Sequence, residues 1–465
     1  MSTHSCVIAP HLKGALSTVQ DGKYGRMFSD LPSPETDEAI LLTLGKSGSV
    51  MDAASRVDGN DAATDNPRIP AGFTFLGQFV AHDITADRSL LLHHARLNEL
   101  RNFRTPRLDL ESLYGAGPTG SPYLYDIDDM DKFLLGLNDR DEMKDLPRNR
   151  QGRALLGDPR DDVHLIISQL HLAFLKFHNA IVDYLRNKGV QKENVFSEAQ
   201  RLVRWHYQWI VIHEFLPLSA GEELMDDILT NGSKCYAYNE RPYIPVEFAD
   251  AAYRFGHSQV RSIYVLNDGG ARGQVFPDCA GTVPVPHSRV VDWAYFFNVD
   301  DRRPPQASKR IDTILAHSLI DLPESVVGET TIPAEHSLAY RDLVRGEALD
   351  LPSGEAIARA MGIEPLSRDE VGLNQMGWNS ETPLWFYILR EGEVCHGGER
   401  LGEVGGRIVA EVLLGLIDGD PNSYRNAGTQ WRPELPGAQA GQFTMADLLR
   451  FAGSISLSQR IDERL

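Results

Sequence analysis

Between Val163 and Tyr184 apolar side chains recur at Val163, Ile166, Ile167, Leu170, Phe174, Phe177 and Ile181, the i, i+3, i+4 rhythm that marks one face of an α-helix. No Gly or Pro interrupts the run, so the spacing predicts a single long amphipathic helix that buries one face. Further helices are expected from about Glu198 to Glu214, stopping near Pro217, and from Ala249 to Tyr264, with Arg254 and His257 three apart on one face. Leu351-Pro352-Ser353-Gly354-Glu355 opens another that runs through Met361, with Ser353 as N-cap and Glu355 in the first turn. Thr382–Arg390, Val404–Ile417 and Met445–Phe451 complete the set. Strand signals with turn spacing are scarce and no internal repeat is found, so the fold class is mainly α.

The chain has 465 residues, of which 42% are hydrophobic and 24% charged, ample for a core. Residues 1–60 are rich in Gly, Ser, Asp and Pro and read as an N-terminal arm packed on the body, which occupies 61–465. A formal net charge of -19 argues against a nucleic-acid partner, because phosphate binding needs clustered Lys and Arg. The four cysteines, Cys6, Cys235, Cys279 and Cys395, are scattered without paired spacing, which suggests neither a zinc site nor a disulfide framework and suits a reducing compartment. Met1–Leu12 lacks the apolar region of a signal peptide. The run Ile408–Ile417 is too short to span a bilayer. A cytoplasmic location without a membrane span is expected.

Chemistry concentrates in Gly77-Gln78-Phe79-Val80-Ala81-His82-Asp83. In a helix Gln78 and His82, four apart, share a face, whereas Asp83 is turned away by roughly 100°. Adjacent His and Asp would then serve two different sites. Downstream, Thr105, Asp109 and Glu111 fall on alternate positions of a Pro- and Gly-bounded loop, so an extended chain turns their oxygens, with the Arg107 carbonyl, to one side. Hard oxygen donors so spaced suit Ca²⁺; simple turn chemistry is the blander reading of the same loop. Gly157-Asp158-Pro159-Arg160 stands just ahead of the long helix, with Pro placed to open it and Arg160 in its first turn.

Four segments in order resemble the animal-type haem peroxidases of the peroxidase–cyclooxygenase superfamily, the family of myeloperoxidase and lactoperoxidase. They are Gly77-Gln78-Phe79-x-x-His82-Asp83, Leu108-Asp109-x-x-Ser112-Leu113-Tyr114-Gly115, Gly157-Asp158-x-Arg160 followed by Leu170-His171 and His178-Asn179, and Arg254-Phe255-Gly256-His257. The resemblance, over roughly residues 70–450, implies a large single-domain fold with haem in a central helical core. It implies a haem peroxidase that reduces H₂O₂ through a ferryl intermediate and oxidises a small organic donor, by default a phenol or other electron-rich aromatic. By the same likeness His82 is the distal histidine, Gln78 its neighbour over the haem and Arg160 the distal arginine. His257 is the proximal iron ligand and Arg254 the partner of a haem propionate. A neutral imidazole can take the peroxide proton and return it, a fixed guanidinium favours charge separation along the O–O bond, and a proximal histidine donates electron density to iron. His171, His178, His206 and His213 are read as structural.

The departures from the family pattern carry their own expectations. Where the family has an asparagine that accepts the other N–H of the proximal histidine, the aligned residue is Glu355, a carboxylate that would lower the reduction potential. The positions that form ester bonds to haem in the mammalian enzymes are Ala81 and Val163, which implies noncovalent haem b. Asp83, Thr105, the Arg107 carbonyl, Asp109 and Glu111 correspond to the family's calcium loop; a salt bridge or cap is the alternative for Asp83. Fatty-acid dioxygenases carry a radical-forming tyrosine three residues before the proximal histidine, and Arg254 stands there instead. Fatty-acid oxygenation and, through Gln78, halide oxidation remain the alternative activities.

Overall fold

The structure, a computed structural model, describes residues 24–34, 36, 38–55, 61–86, 100–239, 241–281, 283–299, 303–427 and 430–455. Its principal helices are α1 (Glu38–Gly45), α2 (Gly72–Ile84), α3 (Leu165–Asn187), α4 (Lys192–Ile210), α5 (Leu216–Ala220), α6 (Glu222–Asn231), α7 (Leu338–Ala348), α8 (Gly354–Ala360), α9 (Leu384–His396), α10 (Glu403–Asp418) and α11 (Met445–Phe451). Strand is confined to two-stranded pairings of Tyr24–Gly25 with Ile244–Pro245, Asp65–Pro70 with Ala307–Lys309, and Tyr264–Val265 with Arg272–Gly273. The fold is mainly α, as the periodicity predicts.

The long apolar rhythm becomes α3, and the structure encloses more of it than one face. Besides the predicted apolar stripe, Ser168, Gln169, His171 and His178 are buried, because α2, α4 and α11 all pack on this helix. By length and apolar content α3 is the one described helix that could cross a membrane, yet most of that window is buried inside the fold. Pro159 does not open α3. It opens a separate 3₁₀ turn, Pro159–Asp162, capped by the Asp158 side chain, and α3 starts at Leu165 with His164 as its N-cap. At the other end Gly189, with φ +77°, lets the chain reverse into α4.

That second helix begins at Lys192, earlier than the sequence suggests, and does not stop before Pro217. It passes through a π-turn, Val211–Phe215, into α5, where Pro217 sits in the first turn and lacks no needed N–H. Phe79 of α2 stacks on Phe174 of α3 with ring centroids 4.5 Å apart. Tyr207 of α4 stands edge-on to both. This triangle fixes the roll of α2, and therefore the directions in which Gln78, His82 and Asp83 point.

The expected helix over Ala249–Tyr264 is absent. In its place are one turn, Val246–Ala249, and a 3₁₀ turn, Ala252–His257, after which the chain extends into the Tyr264–Val265 strand. Winding at three residues per turn brings i and i+3 into line, so Arg254 and His257 project together even though the long helix does not form. The segment from Ser353 follows the prediction: the Ser353 hydroxyl accepts from the Ala356 N–H and α8 runs to Ala360. Of the first 60 residues, 1–23 lie outside the described residues; Tyr24–Gly25 pairs with Ile244–Pro245 and α1 packs on α7.

Because Phe174 is fully buried against Phe79 and Tyr207, Phe174→Ala is expected to destabilise the protein by about 3–5 kcal/mol. A lowered urea midpoint at unchanged slope is the measurement that checks it.

Candidate active site

On α2 the two residues predicted to share a face do so, and each is held by a different partner. His82 Nδ1 lies 2.6 Å from Asp161 Oδ1, and the other oxygen of Asp161 lies 2.8 Å from His171 Nδ1. An ionised carboxylate only accepts, so both imidazoles donate through Nδ1, and in the neutral form of either ring the lone pair sits on Nε2. Burial opposes the charge of Asp161, but the hydrogen bonds from His171 and His82 outweigh it and hold its pKa below the usual range. Gln78 Oε1 accepts from His164 Nε2, 2.8 Å away. His164 Nδ1 is already taken by the Ile167 N–H as the N-cap of α3, so its proton must be on Nε2, and the amide –NH₂ of Gln78 is left as a donor.

Arg160 is anchored rather than free. Its Nε donates to Asp158 Oδ1 at 3.0 Å, and its Nη2 donates to Asp158 Oδ2 at 2.7 Å and to the carbonyls of His82 (3.0 Å) and Thr85 (2.6 Å) at the end of α2. Among the described residues Nη1 has no such partner. Arg104 takes the remaining capacity of Asp158, 2.6 Å from Nη2. Against the effect of burial, Arg160 and Arg104 hold the Asp158 carboxyl far below the usual range. One turn thus sorts two carboxylates: Asp158 faces two arginines and Asp161 faces two histidines.

On the opposite sequence segment, His257 Nδ1 donates to Asp342 Oδ2 at 2.5 Å, and Arg254 Nη1 donates to Asp342 Oδ1 at 2.6 Å. Arg254 also donates to Asp250 Oδ1 (2.7 Å), which accepts from Arg345 Nε as well (3.2 Å). Asp342 is fully buried on α7; desolvation works against its charge, and His257 and Arg254 bring its pKa below the usual range nonetheless. This corrects the expectation for Glu355. Its carboxylate, in the first turn of α8, accepts from the N–H and hydroxyl of Thr382 (2.8 and 2.6 Å), and the acceptor on His257 is Asp342. Arg254 is likewise committed to two aspartates. The His257 ring is about a third exposed, at 31%. No described residue bonds its Nε2, and a Cβ at neighbouring Gly256 would meet nothing within 4 Å.

Asp83 points away from this site, fully buried, and accepts from the Leu110 N–H (3.1 Å) and the Ser112 hydroxyl (3.4 Å). The structure brings it to the predicted loop. There Thr105 donates its hydroxyl to Asp109 (2.9 Å) and its N–H to Glu111 (3.2 Å), and Arg104 approaches Glu111. Burial first, then repulsion from Asp109, push the Asp83 carboxyl well up; burial and Glu111 raise Asp109. Among the described residues no three acidic, His or Cys side chains close into a metal cage. The Ala81 side chain, on the partly exposed part of α2, and Val163, at the head of α3, offer no ester-forming group.

Residues 92–296 match the family model described as animal haem peroxidase. Over that stretch the chain is similar to the animal haem peroxidases; α2 and Asp342 lie outside it. The chain is similar to a chorion peroxidase of Drosophila melanogaster, 32% identical over 143 residues (29% of this chain, 17% of that protein). It is also similar to a peroxidase-like protein of Margaritifera margaritifera, 33% identical over 114 residues (23% of this chain, 14% of that protein). The matches thus span less than a fifth of those relatives. Among solved structures it resembles peroxidase A from Dictyostelium discoideum, with a TM-score of 0.61, 15% identity and 92% of this chain covering 91% of that one. An Oryza sativa fatty acid alpha-dioxygenase gives a TM-score of 0.56 at 15% identity, 86% of this chain covering 82% of that one. At such identities these two speak for the fold alone, a haem peroxidase and dioxygenase fold.

Sequence reasoning missed Asp161, His164 and Asp342, and read His171 as merely structural. Asp161 had a signal, standing next to Arg160 in an unusually acidic stretch directly before an apolar helix; Asp342 had none. Burial drives the pKa of His164 down to about 3, with His82 acting in the same direction and Asp161 against it. An unfolded imidazole titrates near 6.5. The unfolded chain therefore binds a proton that the folded chain refuses, and this contribution to stability is lost as pH falls from about 6.5 towards 3. His164→Asn keeps a capping acceptor without titrating. The stability difference between wild type and variant should shift in the variant's favour by about 1.4 kcal/mol per pH unit below 6.5, read from urea midpoints.

Proposed function

We propose that this chain is a haem peroxidase that reduces H₂O₂ and oxidises a small organic donor, with phenols and other electron-rich aromatics as the default class. The observation that carries the reading is that both candidate histidines have Nδ1 tied to a buried aspartate, His82 to Asp161 and His257 to Asp342. In its neutral form each ring therefore carries its lone pair on Nε2. A metal-ligating histidine needs that tautomer and that carboxylate support, and the open space beside Gly256 suits a flat group against His257. The donor set fits haem.

When bound, haem supplies the redox-active iron at which the peroxide is reduced. His257 would hold that iron through Nε2, with Asp342 fixing the orientation of its ring. His82 Nε2 takes a proton from H₂O₂ and later returns it to the departing oxygen. Arg160, stationary on Asp158 and on the end of α2, keeps a positive charge at the His82 main-chain carbonyl. Gln78, turned by His164, offers an amide donor. Peroxidase chemistry is favoured over fatty-acid oxygenation because Arg254, where a dioxygenase has its tyrosine, is paired with Asp342 and Asp250.

With Ala81 and Val163 at the ester positions, haem b is held noncovalently in this reading, so acidified butanone should extract it whole; a haem retained by the protein after extraction overturns that point. His82→Ala should keep the Soret band while its reaction with H₂O₂ slows about 10²–10⁴-fold, and an unchanged rate would sink the assignment.

Ca²⁺ is part of the proposal, held by Asp83, Thr105, the Arg107 carbonyl, Asp109 and Glu111. Its support is the mutual repulsion of buried carboxylates that a cation would relieve. EGTA should lower the melting temperature and added Ca²⁺ restore it; metal analysis finding no calcium, with an unmoved melting temperature, counts against it. A reducing, cytoplasmic setting is also inferred, supported by the free thiols of Cys235, Cys279 and Cys395.

A further inference from the structure

Asp161 is fully buried, at 0%, and each of its oxygens takes one imidazole N–H. It shares its turn with Arg160 without pairing to it, because Asp158 already fills the inner edge of that guanidinium. On its far side, His171 stands on the central helix α3 with its ring edge-on to Phe79, centroids 6.0 Å apart. A carboxylate gripped from both sides cannot rotate towards the arginine. The ring it faces on α2 is in turn held to one tautomer, since moving the proton from His82 Nδ1 to Nε2 would set a lone pair against a carboxylate oxygen.

We propose that Asp161 is a positioning residue for peroxide activation, which keeps the Nε2 lone pair of His82 turned to the peroxide, and that His171 serves as the clamp that holds Asp161 in place. This rests on the peroxidase reading above. In the step concerned, the O–H bond of H₂O₂ breaks, its proton bonds to His82 Nε2, and hydroperoxide and imidazolium result. The Nδ1–H stays on His82 throughout, directed at Asp161, so the positive charge is born beside a negative one already in place.

The test uses ligands that differ only in needing a base. HCN and H₂O₂ must both lose a proton to react with ferric haem protein, whereas CO binds the ferrous form with no proton transfer. In haem-loaded Asp161→Ala, the H₂O₂ and HCN rates should fall about 10- to 1,000-fold, with CO association within threefold of wild type. Asp161→Leu, which fills a similar volume without an acceptor, is measured in parallel in case the alanine variant does not retain its Soret band. Wild-type H₂O₂ and HCN rates in a haem-loaded variant overturn the proposal. A CO rate that falls as far as the other two also overturns it, since Asp161 would then only keep the pocket intact. The parent reading fails separately, if wild-type protein supplied with haem shows no Soret band or no reaction with H₂O₂.

Discussion

An ionised carboxylate inside a protein is tolerated only when its oxygens are filled by donors, and that constraint organises both halves of this molecule. Asp161 and Asp342 are each fully buried, and each fills its two oxygens with donors from elsewhere in the chain. The first ties α2 to α3; the second ties the 3₁₀ turn that carries Arg254 and His257 to α7. Without these pairs the polar groups would be stranded in an apolar interior. With them, two imidazoles are fixed in tautomer and in direction before any ligand arrives.

The turn between Gly157 and His164 performs more of this than its length suggests. Asp158 caps the turn and gathers Arg104 and Arg160, Asp161 takes the two histidines, and His164 caps the central helix while it aligns Gln78. Such crowding of roles is feasible because a 3₁₀ turn followed by a helix start presents consecutive side chains in diverging directions. The proposed acid–base machinery is thereby attached to the longest helix described, which α2, α4 and α11 enclose.

Much of this was legible beforehand. The period of α3, the shared face of Gln78 and His82, the separate direction of Asp83 and the Ser353 cap all follow from local spacing, and the structure reproduces them. What local spacing could not supply was long-range pairing. Asp342 lies 85 residues from His257 in a helix whose pattern, with Arg341 beside it, looks like an ordinary solvated face. Glu355 was the nearer guess, because its segment matched a motif, but its carboxylate is taken by the N–H and hydroxyl of Thr382, just ahead of α9. The Ala249–Tyr264 stretch misled for a related reason. Its aromatic rhythm suits a helix, while the pull of Asp342 on Arg254 and His257 and the extension into the Tyr264 strand favour tighter winding and an early exit.

The grip of Arg160 on the carbonyls of His82 and Thr85 has a mechanical side. These oxygens are the negative pole of the α2 dipole, so the guanidinium works as a latch on the helix end as well as a charge. An arginine that swung in and out with each turnover would release that end and loosen the very ring it is meant to assist. The geometry describes a standing electrode, set in the wall of the site, in place of a moving arm.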